Sequence, residues 1–249
     1  GSRQCKLGFC ACNPGGTGGM NRIVSDEDWL AARKRLLEEE KALQASRDEL
    51  AAKRRALPWR AVKSEYVFET EHGRKRLPEL FGDASQLLVY HFMFHPEWDA
   101  GCKSCSFWAD TYDGSVPHLA ARDVSLFAIS RAPLDLLLAY RERMGWCFPW
   151  ASSATNSFNY DFGVSFSPRQ IQDGTANYNY QKGNATIEEL PGISVFARDG
   201  DDVFHTYSTF ARGLDPCNAT YQLLDIVPRG RDENSLTYPQ EWVKRHDEY

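Results

Sequence analysis

The sequence predicts an α/β fold built on buried strands, and three observations predict it. Leu87 to Phe94 is an eight-residue run with no charged side chain, His91 being counted neutral, closed by His95-Pro96. That length and those flanks favour a central strand over a buried helix. Beyond a short loop, Phe107, Trp108, Thr111 and Tyr112 recur at helical spacing, so a helix begins at Cys102-Lys103-Ser104-Cys105. Val124 to Ser130 (VSLFAIS) is a second buried strand, and Pro133 to Met144 is a helix with Pro at its start and Gly145 past its end. The order strand, helix, strand, helix with short connections argues parallel pairing and right-handed crossovers.

The remaining elements follow in order. Residues 1–19 end in a Gly-rich linker before Met20 and read as an expression-derived leader, with a metal-binding or thiol tail through Cys5, Cys10 and Cys12 as the rival. Residues 20–57 form a helical arm. Ser25 to Asp28 resembles a capping box, and the helix it opens runs to about Ala56. Its apolar residues Trp29, Leu36, Leu43 and Leu50 fall at seven-residue spacing, flanked by Leu30 and Leu37. A stripe that narrow fits a helix lying across its own domain or an arm through which two copies dimerise.

Residues 58–228 hold the main domain. Glu65 to Thr70 alternates as a strand, His72-Gly73 turns, and Leu77 to Phe81 makes a helical turn. Within it, about 146–189 is an aromatic-rich insertion of short strands or loops, with nine aromatics from Trp146 to Tyr180. These either fill core beneath a long loop or line a pocket. Ile193 to Ala197 and Val203 to Ser208 form an antiparallel hairpin, and Asp215 caps a closing helix that runs to Asp225. The tail, 229–249, is charged and is expected to wrap the surface.

Composition excludes several classes of partner. A formal net charge of −5 gives no basic footprint for nucleic acid or anionic membranes. No apolar run approaches the ~18 residues of a membrane span, and the expected location is the cytoplasm. Seven cysteines, three of them in the first dozen residues, do not make a secreted disulfide framework. Asn184 and Asn218 head sequons that are then chance matches.

The dithiol carries the chemistry. A thiolate is the nucleophile of disulfide exchange, and a helix N-terminus stabilises one through free N–H groups and the dipole. Lys103 adds positive charge. Cys102 is therefore the attacking sulfur and Cys105, one turn inside, the resolving one. Two rivals stand beside this reading. One is a zinc module using Cys102, Cys105 and two of His91, His95 and His118; the other is a small-molecule binder using the aromatic insertion. The leading reading needs no cofactor and takes a thiol or disulfide substrate, protein or small molecule.

The order of strand, CxxC, helix, strand, helix, insertion, Leu190-Pro191, hairpin and helix resembles the thioredoxin fold. More closely, VSDEDWLAARKRLL, LVYHFMF, GCKSCSFWAD, ISRAP, MGW, FNYDFGVSF, VFHTYSTFARGLD and WVKRHDEY resemble a bacterial domain-of-unknown-function family of thioredoxin-like, predicted dithiol-disulfide oxidoreductases, from Met20 to Tyr249. The resemblance implies a mixed sheet flanked by helices. It also implies a cis Leu190-Pro191 bond packed beside the dithiol, which makes Pro191 a site residue. The thioredoxin-type Trp-Cys-Gly-Pro-Cys is absent, with Gly101 for Trp and Lys103-Ser104 for Gly-Pro. The peroxiredoxin-type Pro-x-x-x-Thr-x-x-Cys is absent too, since Pro96 lies six residues before Cys102 and Asp99 stands in the threonine position.

Overall fold

The computed structural model describes residues 21–249; the N-terminal cysteines and the whole of the leader lie outside them. The chain divides into two units, 1–56 and 57–249. In the first, α1 (Asp26–Arg55) is capped by the Ser25 hydroxyl, which accepts from the Asp28 N–H. Acidic residues fill its first turn and basic ones its last, each complementing the helix dipole. No residue of α1 is buried.

The second unit is an eight-stranded mixed sheet of β1 (Arg60–Ala61), β2 (Val67–Thr70), β3 (Gly73–Arg76), β4 (Gln86–His91), β5 (Val124–Ser130), β6 (Trp150–Ser152), β7 (Gly192–Asp199) and β8 (Asp202–Phe210), in the order β1-β8-β7-β4-β5-β6-β2-β3. β4, β5 and β6 are parallel, whereas β7 pairs antiparallel to β4 and β8 antiparallel to β7. With α2 (Lys103–Tyr112) between β4 and β5, and α4 (Leu134–Arg143) after β5, this is the thioredoxin-like arrangement. The shorter helices are α3 (Val116–Ala120), α5 (Phe158–Asp161), α6 (Pro168–Gln172) and α7 (Ala219–Leu224).

The central strands carry apolar residues on both faces because both faces are covered. Leu87 and Val89 of β4 join Phe127 and Ile129 of β5 in one core, while Tyr90 joins Leu126 and Ala128 in the other, beneath α2. This alternation is the two-residue period of a strand.

Several expectations need correction. Of the short strands or loops that the aromatic insertion leads one to expect, one short strand, Trp150–Ser152, joins the main sheet itself, parallel to β5. Trp146, Phe148 and Trp150 stack in the core under α2, and Phe158 and Phe162 fill the opposite core. The sequence pattern leaves Arg74 to Arg76 unassigned beyond the His72-Gly73 turn, because GRKR has no apolar residue. β3 forms there because the Thr70–Gly73 hairpin fixes its register, and its basic side chains suit an exposed edge. The closing helix is broken. Ala211–Cys217 is 3₁₀, and α7 is capped by the Asn218 carboxamide rather than by Asp215, whose carboxylate binds Arg231 instead.

The tail departs furthest from expectation. Val243 is fully buried in the core under α2, and Trp242 packs edge-on to Phe107 at 5.5 Å between centroids. Aromatic and aliphatic side chains among the charges bring the chain end onto α2, where Lys103 donates to the Glu241 carbonyl at 3.0 Å.

Candidate active site

Cys102 is the N-cap of α2, and the loop before it is built to hold it there. Its N–H donates to the Met93 carbonyl at 3.1 Å, tying the helix start to the end of β4. Its carbonyl accepts from the Ser106 N–H at 3.0 Å and the Ser106 hydroxyl at 2.8 Å. Gly101 must be glycine. A Cβ there would lie 2.6 Å from the Phe92 ring and 2.7 Å from that of Tyr140. The tryptophan of a thioredoxin-type motif has no room in this position.

Cys102 is half-buried and Cys105 is buried, with no disulfide between them. The Cys105 thiol donates to the Cys102 sulfur, the Cys105 and Ser104 backbone N–H groups point at it, and Arg245 adds positive charge; together these outweigh burial and lower the Cys102 pKa to about 6. Burial pushes the Cys105 thiol well up, and the hydrogen bond to Cys102 and that sulfur's charge push it further. One sulfur is thus a thiolate at neutral pH while its partner keeps its proton.

Arg245 escapes the sequence reading. It comes from the tail, donating to the Gly101 carbonyl at 2.8 Å and the Tyr140 hydroxyl at 2.9 Å, with Glu248 as counter-ion at 2.9 Å. Tyr140 in turn shares a 2.7 Å hydrogen bond with Ser106 of α2. The only sequence signal is WVKRHDEY among the stretches carrying the family resemblance.

Pro191 directly precedes Gly192, the partner of His91 at the end of the β4–β7 ladder. Among the described residues no peptide bond is cis, so Leu190-Pro191 is trans and the cis expectation is corrected. Trans is the lower form of an X-Pro bond by ~0.5–1 kcal/mol. Beside it, the Leu190 N–H donates to the Val164 carbonyl at 2.9 Å. The Tyr178 hydroxyl donates to the Pro191 carbonyl at 2.7 Å while accepting from the Ala211 N–H at 2.8 Å. Two residues upstream, Glu189 is buried against Arg131 at 2.8 Å and Ser165 at 2.7 Å; burial outweighs both partners and raises its pKa to about 7.

The histidines of the zinc reading do not converge with the dithiol. His91 is buried and bonded to Ser194 at 2.8 Å, His95 faces Glu188 at 3.4 Å, and His118 is exposed on α3. No group of three metal-ligating side chains forms among the described residues. Nor do they include a helix long and apolar enough to cross a membrane.

A family model described as "Bacterial protein of unknown function (DUF899)" matches residues 19–249. No curated protein matches the chain. Among solved structures it is similar to the peroxidoxin BcpB of Mycobacterium tuberculosis (14% identity, TM-score 0.45, covering 67% of this chain and 97% of that one). It is similar also to peroxiredoxin Q of Xanthomonas campestris (12%, 0.44, 62% and 85%) and to Enterococcus faecalis AhpC (9%, 0.43, 62% and 81%). These likenesses are too distant to transfer activity.

Proposed function

We propose that this chain, which belongs to the bacterial family of unknown function DUF899, is a cytoplasmic thiol–disulfide oxidoreductase. The observation that carries this reading is the split between two neighbouring cysteines: Cys102 lowered to about 6 at the head of α2, and Cys105 raised beneath it. The Cys102 thiolate attacks one sulfur of a substrate disulfide; that S–S bond breaks, and the leaving sulfur takes a proton as a mixed disulfide forms. Cys105 then loses its proton and attacks Cys102. The second substrate thiol leaves, and Cys102–Cys105 closes as a disulfide. Two electrons pass to the substrate, and an external dithiol restores the pair. Pro191, entering β7 beside the end of β4, is the residue we place against the substrate's backbone.

The test is reduction of insulin disulfides with dithiothreitol as electron donor. Wild type turns over, Cys102→Ser is inactive, and Cys105→Ser stalls as a mixed disulfide visible by mass spectrometry, whereas Cys147→Ser is unaffected. Turnover by Cys102→Ser, or by neither wild type nor the Cys147→Ser variant, overturns the reading.

A further inference from the structure

α1 is 30 residues long and buries none of them. Most helical stability in proteins comes from packing an apolar face, and this helix has one. Trp29, Leu30, Leu36, Leu37, Leu43 and Leu50 are all exposed, Trp29 at 59% and Leu43 at 53%. Between the Trp29/Leu36/Leu43/Leu50 row and the Leu30/Leu37 row runs a third row at seven-residue spacing, Asp26, Arg33, Glu40 and Arg47. Its signs alternate.

That alternation discriminates between partners and orientations. A parallel pair of α1 helices sets each residue of the central row against its own copy, putting like charges together at every step. An antiparallel pair whose two-fold axis passes between residues 36 and 37 sets Asp26 against Arg47 of the second copy and Arg33 against Glu40 of the second copy. The same register brings the two Leu36 side chains together on one flank and the two Leu37 side chains on the other, with Trp29 alongside Leu43 of the second copy. We infer that α1 is a homodimerisation arm that pairs antiparallel with α1 of a second copy of this chain, in that register.

Arg33 already reaches Glu40 within its own helix at 2.7 Å, so the test must separate helix formation from pairing. Sedimentation velocity on the reduced full chain across a hundredfold concentration range should show a dimer. Arg33→Glu and Glu40→Arg should each weaken it at least about tenfold, and the double swap should restore it, because in this register residue 33 faces residue 40 of the second copy. Independently, Leu36→Cys should form an intermolecular disulfide to its own copy under mild oxidation, and Trp29→Cys should not; disulfide-linked peptides identify each. A monomer at all concentrations, a dimer present only without reductant, a dimer indifferent to both single changes, or cross-linking at position 29 as well as 36 overturns the inference. A monomer with the α1 stripe protected from hydrogen exchange identifies the arm's occupant as its own chain, and overturns it equally.

Discussion

Cys102 and Cys105 carry the same side chain three residues apart, and their surroundings give them opposite acid–base characters. The first difference is backbone: Cys102 is the cap, where N–H groups have no intrahelical partner, whereas Cys105 is inside the helix. The second is burial, since Cys105 is only 2% exposed. This much follows from two cysteines at a helix start, and it was legible in the sequence. Arg245 was not, because its place depends on a tail that folds back from about 140 residues away. The contributions have an order that can be tested. The Cys105 hydrogen bond is the largest influence lowering the Cys102 pKa, and Arg245 is a smaller one. Alkylation of Cys102 at graded pH should therefore show its midpoint move up in both Cys105→Ala and Arg245→Met, and further in Cys105→Ala. An Arg245→Met profile superimposable on wild type removes the tail from the site.

At the scale of elements, the start of α2 is set by a contact made with no side chain. The loop passes between Phe92 and Tyr140 only because Gly101 lacks a Cβ. Gly101→Ala must push both rings aside, and overpacking of this kind costs roughly 1–3 kcal/mol. Urea unfolding should show that loss, and because Cys102 moves with the loop, its alkylation should slow at pH 7 in the same variant. Unchanged stability would mean that the loop has a second path. Elements with their own apolar pattern were legible: β2, β4, β5, β7, β8, α1, α2 and α4. β1, β3 and β6 were not. Each is four residues or fewer and carries no apolar–polar alternation, and each is a strand because a neighbour supplies its hydrogen bonds. The broken closing helix misleads for a related reason: Asp215-Pro216 looks like a cap followed by a first-turn proline, but the Asp215 carboxylate is taken by Arg231 from the tail.

Across the whole molecule, two buried titratable side chains give stability opposing dependences on pH. Burial lowers the His91 pKa to about 3, so between that value and the ordinary 6.5 the unfolded chain binds a proton that the native protein refuses. Stability is lost as pH falls through that window, by at most about 5 kcal/mol at ~1.4 kcal/mol per pH unit. Glu189 works the other way. Its native pKa is about 7 against an ordinary 4.5, so the native protein holds the extra proton and stability rises as pH falls from 7 towards 4.5, by at most about 3.5 kcal/mol. His205, also lowered by burial, shares the direction of His91. Between pH 6.5 and 4.5 the effects of His91 and Glu189 offset one another, and below 4.5 only the histidine loss continues. Urea unfolding at pH steps from 8 to 4 separates them. Relative to wild type, His91→Asn should gain stability as pH falls below 6.5, and Glu189→Gln should lose it as pH falls from 7 to 4.5. Difference curves with the same sign of slope, or with no slope, would show that one of these side chains does not keep its buried protonation state in solution.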